Sequence, residues 1–207
     1  MPSAAAREPA PCNDGRVLED RIPRRPDTTE IELVGGTEIR QLDAVDYDPK
    51  WPGIFAVHEE RLREALRSRQ FGIEHIGSTS VPGLAAKPII DILVTVDDIT
   101  AEEDYLEPLL AAGYLLRVRE PEHRLVRTPA RDVHVHLYEK GHAAASNYLL
   151  FRDRLRSNDD DRALYARTKQ ALIAQGFTDM NAYSDAKTDV VLAILARAKA
   201  ANTTNPD

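Results

Sequence analysis

The stretch Ile89-Ile90-Asp91-Ile92-Leu93-Val94-Thr95-Val96 constrains this chain more than any other. Its apolar, β-branched residues follow one another without the alternation that would leave one face in water, so it reads as a strand buried on both faces. The remaining chain must therefore supply further strands beside it and helices above and below. Asp91 is the one charged residue in the run. A buried carboxylate is costly unless a cation or hydrogen-bond donors meet it, which makes Asp91 the first candidate for chemistry.

The covering elements are readable from punctuation and period. Tyr47-Asp48-Pro49-Lys50-Trp51-Pro52 opens a helix, with Pro52 in the first turn where its missing donor is not needed. Ile54, Phe55, Leu62 and Leu66 form its apolar side, opposite Glu59, Glu60, Arg61, Arg63 and Arg67, and Trp51 is expected in the core. Gly72–Ile76 reads as a strand, 101–112 as a helix closed by Gly113, and 114–118 and 133–138 as two more strands. Ile31, Leu33 and Ile39 suggest short extended pieces. From Ala143 onward the pattern is helical, at about 143–156, at about 160–175 closed by Gly176, and at about 181–200. The expectation is an α/β fold: a mixed sheet covered by helices, with a C-terminal helical segment.

Composition narrows the function classes. Of 207 residues 43% are apolar, enough for one buried core. Acidic residues outnumber basic ones by 34 to 27, a net charge of −7, so no broad footprint for a nucleic-acid backbone is evident. A local positive pocket for a small phosphorylated ligand remains compatible with that balance. Cys12 is the single cysteine, which leaves no disulfide framework or cysteine metal cluster within the chain and fits a reducing, cytoplasmic setting. No apolar run reaches the roughly 20 residues that span a bilayer, so no membrane partner is expected. Residues 1–29 mix Pro, Ala, Arg and Asp without an apolar period and are expected to form a tail, with the folded domain over 30–202.

The chemistry concentrates between His75 and Asp91. Gly77 followed by Ser78, Thr79 and Ser80 can offer backbone N–H and side-chain O–H groups to a phosphate, although the same four residues also make an ordinary turn. Lys87 can add a point charge to the same anion, or it can simply pair with Asp91. His134 and His136 alternate with Val133, Val135 and Leu137, so both project to one face of their strand. If that strand adjoins the one bearing Asp91, two imidazoles and a carboxylate converge, with His75 and Glu74 at the entrance; otherwise the histidines form the wet side of an edge strand. Arg152 and Arg156, four apart on a helix, can clamp an anion or pair with Asp153 and Asp159. Lys169 reads as part of a solvated face, and Lys187 as a further basic residue of the helical segment. Tyr165 and Tyr183 read as half-buried packing residues.

The block Ile73-Glu74-His75-Ile76-Gly77-Ser78-Thr79-Ser80-Val81-Pro82-Gly83-Leu84 resembles the GrpB family. So do Ala86-Lys87-Pro88-Ile89-Ile90-Asp91-Ile92, His134-Val135-His136, and Phe151-Arg152-Asp153 with Leu155-Arg156. The resemblance covers roughly residues 38–200. It implies a nucleotidyltransferase-like fold, with Gly77-Ser78 in the place of that superfamily's Gly-Ser signature and Asp91 in the place of its first metal-binding carboxylate. The superfamily pattern has a second acid two residues further on, where both side chains share a strand face and divalent metal. Here Leu93 stands at that position, so Asp91 alone cannot build the usual carboxylate-bridged two-metal site.

The function implied is transfer of a nucleotidyl group from a nucleoside triphosphate to a small acceptor, or adenylylation that drives a ligation. Gly77, Ser78, Thr79, Ser80, Lys87, Arg152 and Arg156 would bind the nucleotide or phosphorylated small molecule. Asp91, His134 and His136 would hold a divalent metal, Mg²⁺ or another, and would be the catalytic residues together with His75. The rival expectation is a binding module that kept the loop and lost the metal acids.

Overall fold

The computed structural model describes residues 25–36, 44–67, 71–175 and 185–204; Cys12, Ile39, Gly176 and Tyr183 lie outside them. The chain runs β1 (Glu32–Leu33), α1 (Trp51–Leu66), β2 (Gly72–Ile76), β3 (Ile90–Val96), α2 (Leu106–Ala111), β4 (Leu115–Glu120), β5 (His123–Arg127) and β6 (Val133–Glu139), then α3 (Ala143–Ser157), α4 (Asp159–Ala174) and α5 (Thr188–Thr204). The strands form one six-stranded sheet in the order β1-β4-β5-β6-β3-β2. β3 and β6 run parallel and the other neighbouring pairs antiparallel. This is the mixed sheet with helical cover and a helical C-terminal segment that the sequence predicts.

Alternation along β3 sorts the two sides of the sheet. Ile90, Ile92, Val94 and Val96 join Val133, Val135 and Leu137 of β6 in the main core, beneath Trp51, Leu62 and Leu66 of α1 and Leu106 and Leu109 of α2. On the opposite side Leu93 packs with Ile76, Tyr138 and Ala145 of α3. A third cluster joins the helical segment to the turn after β2, through Val81, Leu84, Leu155, Tyr165 and Ile194. Burial of this apolar surface, at roughly 25 cal/mol per Å², is what holds the layers together. Among the described residues no helix is long and apolar enough to cross a membrane.

Three expectations change. Ile54 is exposed, and Trp51 completes the α1 stripe with Leu62 and Leu66 in its stead. The helix expected over 101–112 starts as a 3₁₀ turn at Glu102–Asp104 and becomes α-helical at Leu106, ending before Gly113 at φ 92°. β5 was not foreseen, because His123-Arg124-Leu125-Val126-Arg127 carries charge on both faces. Arg124 is nevertheless buried, since Asp27 and Glu102 each hold its guanidinium at 2.6 Å. Periodicity cannot show partners that arrive from elsewhere in the chain.

Asp27 also brings the packed chain into the segment read as a tail. One carboxylate oxygen accepts from Arg124 and the other from the Glu122 backbone N–H, both at 2.6 Å. These bonds hold the Asp27 carboxyl below its ordinary range against the opposing effect of burial. Asp27→Ala leaves Arg124 with Glu102 as its remaining carboxylate, and is expected to cost about 1.5–3 kcal/mol, the range for hydrogen bonds to charged groups. Urea unfolding tests this; an unchanged midpoint would return residues 25–29 to the tail.

Candidate functional site

The site is built where β2 turns into β3. At the end of β2 the chain passes Gly77 at φ 70° and ψ −175° and forms a short 3₁₀ turn over Ser78–Ser80. A side chain at Gly77 would place its Cβ 2.4 Å from Oδ2 of Asp91. The turn therefore lies directly against the carboxylate, with glycine as the condition for that approach.

Within the turn the hydroxyl groups divide. Ser80 Oγ donates to Gly77 O at 2.6 Å and Thr79 Oγ1 to Ile89 O at 3.0 Å, and both residues are buried. They brace the loop, so the expectation that Thr79 and Ser80 present their hydroxyls to a phosphate is corrected. Ser78 is half-buried and lines the cavity.

His75 is corrected too. It pairs with Ile92, one residue out of phase with Asp91, and so projects to the α1 side of the sheet. There it stacks on Phe55 at 4.9 Å, and its Nε2 lies 3.1 Å from Thr79 Oγ1. Because the Thr79 proton goes to Ile89 O, His75 is the donor in that contact. Burial brings its pKa down to about 4, against the pull of Asp91 and with help from Arg156 and Arg152. A neutral ring that holds Thr79 is a support for the turn, and it borders, with Glu74, a second cavity rather than the one at Asp91.

Asp91, His134 and His136 do share a face. The parallel register sets Asp91 opposite His134 on β6, with His136 two residues on. His134 Nδ1 lies 3.8 Å and His136 Nε2 3.7 Å from the same oxygen, Asp91 Oδ1. These separations exceed hydrogen-bond length. Leu93, where the resemblance in sequence would lead one to look for a second acid, is buried under α3 in the cluster of Ile76, Tyr138 and Ala145. Among the described residues no three His, Cys, Asp or Glu side chains are gathered as a metal-ligand set. The donors present thus do not fit a carboxylate-bridged pair of ions. They fit at most an ion of the Mg²⁺ kind, which binds through one or two carboxylates together with substrate phosphates.

The arginines have defined duties. Arg152 donates from Nη1 to Glu74 Oε2 at 2.8 Å and His75 O at 3.1 Å, and it borders the cavity. Arg156 donates from Nε and Nη2 to Ser80 O at 3.0 and 2.8 Å. Its clamp closes on the turn's own backbone, fixing α3 to the loop.

Lys169 overturns its reading as a solvated residue. It is only 6% exposed, and its Nζ donates to Ala85 O at 2.6 Å and to Ser78 Oγ at 3.1 Å while lying 4.9 Å from the Tyr165 ring centre. Burial, aided by the charge of Lys187, lowers its pKa to about 7. The missed signal was spacing: Asp161, Tyr165, Lys169 and Leu172 recur at helical intervals and form the buried stripe of α4. Lys187, just before α5, borders the cavity; burial lowers its pKa, with Asp91 pulling the other way.

Some of these groups, though not His75, Thr79, Ser80, Arg156 or Lys169, border a cavity of about 540 Å³ between the Asp91 face of the sheet and the helical segment. Gly77, Ser78 and Lys87 border one side, Asp91, His134 and His136 the floor, and Tyr148, Phe151, Tyr165 and Lys187 the helical wall. The volume suits a ligand of nucleotide or metabolite size.

A mixed-sheet α/β protein with a glycine-serine turn folded onto a strand carboxylate is the class that fold and cavity define. The chain belongs to the GrpB family, whose model, described as GrpB protein, matches residues 41–197. It is 62% identical over 178 residues to a UPF0157 protein of Streptomyces coelicolor, covering 86% of this chain and 95% of that one. A UPF0157 protein of Halalkalibacterium halodurans is 44% identical over 178 residues, covering 83% of this chain and 91% of its own. Among solved structures, the conserved protein GrpB from Enterococcus faecalis superposes with a TM-score of 0.66 at 30% identity, covering 75% of this chain and 96% of that one.

Proposed function

We propose that the cavity binds a nucleoside triphosphate, or a similar phosphorylated small molecule, and transfers its nucleotidyl group to a small acceptor or uses it to drive a ligation. The observation that carries this reading is the meeting of a Gly77-Ser78 turn, the half-buried Lys187 and the Asp91 carboxylate around one cavity, with the buried Lys169 bonded to Ser78 Oγ. A phosphate beside Ser78 would meet the ammonium of Lys187 on the cavity wall and the nearby charge of Lys169, whose Nζ reaches Ser78 Oγ, and Ser78 Oγ adds a donor. Lys87 and Arg152 extend the positive border. At the other end Asp91, with His134 and His136, would orient the acceptor and take up its proton. A divalent ion would be held by Asp91 jointly with the phosphates, where it would neutralise charge on the transferred group.

One observation favours a non-catalytic binding module instead: the second acid is replaced by Leu93 in an apolar cluster. Binding and turnover separate the two readings. We expect ATP, offered with Mg²⁺, to bind in a calorimeter, and Ser78→Ala with Lys187→Met to weaken that binding at least tenfold while leaving the fold intact. Unchanged affinity in the double variant would move the ligand elsewhere. Release of pyrophosphate in the presence of a metabolite pool would identify a transferase, and binding without release a module.

The lysines add a signed pH dependence. Near pH 7 Lys169 is partly neutral, because its pKa stands at about 7. A phosphate beside Ser78 favours the charged form, so binding should take up protons, and affinity should fall as pH rises from about 6 to 9. Calorimetry in two buffers of different ionisation enthalpy reads the proton count. Proton release on binding would overturn the placement of the phosphate.

A further inference from the structure

On the Asp91 face of the sheet, three contacts run in line from the cavity to the far side of β6. Glu120 Oε1 lies 2.6 Å from His123 Nδ1, and His123 Nε2 lies 3.3 Å from His136 Nδ1. His136 Nε2 in turn faces Asp91 Oδ1 at 3.7 Å. The rings of His123 and His136 stack at 5.4 Å, and His123 is sandwiched further by Tyr138 at 4.5 Å, so neither imidazole turns freely. Neither Glu120 nor His123 borders the cavity.

Hydrogen-bond direction propagates along such a line. An ionised carboxylate only accepts, so Glu120 draws the proton of His123 to Nδ1 and leaves Nε2 bare. A bare Nε2 can only accept, so the proton of His136 sits on Nδ1. The remaining nitrogen of His136, Nε2, then faces Asp91 with its lone pair.

We propose that Glu120 and His123 are positioning residues that hold His136 in its Nδ1–H form, making the Asp91 end of the cavity a subsite for a hydrogen-bond donor, the amine or hydroxyl of the acceptor. Asp91 Oδ1 and His136 Nε2, 3.7 Å apart and both acceptors, leave room for one donor group between them. An acceptor substrate entering by a carboxylate or phosphate would meet lone pairs there. The subsite rests on the reading of this cavity as the functional site, whereas the tautomer does not.

The test is imidazole ¹⁵N NMR on the full chain without nucleotide, at about pH 8.5, above the ordinary histidine range near 6.5. His136 should carry its proton on Nδ1. In His123→Phe, which keeps a ring against Tyr138 but removes the accepting nitrogen, His136 should relax to a mixture of both tautomers; Glu120→Ala should shift it in the same direction and Glu120→Asp should restore it. Added ethanolamine should move the His136 Nε2 resonance more than acetate does. A His136 proton on Nε2 in the wild type, a tautomer indifferent to His123→Phe, or a larger response to acetate would each overturn the proposal. Failure of ATP to bind would instead count against the nucleotide reading, since the ring's tautomer is read in its absence.

Discussion

Gly77→Ala is expected to lower stability by about 3 kcal/mol and to abolish ligand binding together. The backbone at φ 70° and ψ −175° lies in a region that side-chain-bearing residues avoid at a cost of about 1–3 kcal/mol. The new Cβ would also stand 2.4 Å from Asp91 Oδ2 and 3.1 Å from its Cγ. Either Asp91 swings away from His134 and His136 or the turn lifts off β3, and in both cases Ser78 and the carboxylate no longer face one cavity. Adding Asp91→Ala to Gly77→Ala should recover part of the lost stability but no binding, a non-additivity that isolates the clash from the backbone strain. A single variant with wild-type ATP affinity would show that turn and carboxylate are not coupled.

Asp161→Ala is expected to cost about 1.5–3 kcal/mol, the range for hydrogen bonds to charged groups, since Asp161 is buried while Arg197 and Arg154 keep access to water. Its side chain is 6% exposed and accepts from Arg154 Nε of α3 at 2.7 Å and from Arg197 of α5 at 2.9 and 2.5 Å. Its own N–H is bonded to Asn158 Oδ1, which caps α4. One residue thus ties three helices. Burial alone would raise the Asp161 carboxyl, but Arg197 and Arg154 hold it below its ordinary range. A carboxyl with a lowered folded pKa contributes above its unfolded value and loses the contribution as pH falls through the folded one. The gap between wild type and Asp161→Ala in urea should accordingly be full at neutral pH and close in acid, below about pH 4. A gap that stays constant into acid would mean the arginines are not its source. Because Lys169 and Lys187 are carried by α4 and the start of α5, ATP affinity should fall with stability.

What could be read beforehand was mostly periodicity. The two-sided apolar run of β3, the alternation of β6 and the proline entry to α1 each depend on residues close in sequence, and each element formed where expected. The meeting of Asp91 with His134 and His136 followed from strand alternation plus adjacency, and the parallel register supplied the adjacency. Lone polar residues inside apolar patterns were harder. Lys169 looked like a solvent contact and Arg124 was not singled out, because their partners, Ser78 and Ala85 for one, Asp27 and Glu102 for the other, are remote in the chain. His75 was misassigned by one step of the strand period, since proximity in the loop motif concealed that neighbours on a strand face opposite ways. Thr79 and Ser80 show the same limit: a hydroxyl-rich turn can spend its donors on itself.

Leu93 limits the carboxylates this strand can offer the cavity. A carboxylate there would enter a dry layer formed by Ile76, Tyr138 and Ala145, and an unpaired charge in such surroundings is heavily penalised. Placing a second carboxylate beside Asp91 at this position would require α3 to withdraw from the sheet, and α3 is the helix whose Arg152 and Arg156 hold the Gly77-Ser78 turn in place. The architecture is in that sense a one-way door: whatever this cavity does, it must do with a single strand carboxylate, and any gain of a second would be bought by loosening the loop it was meant to serve.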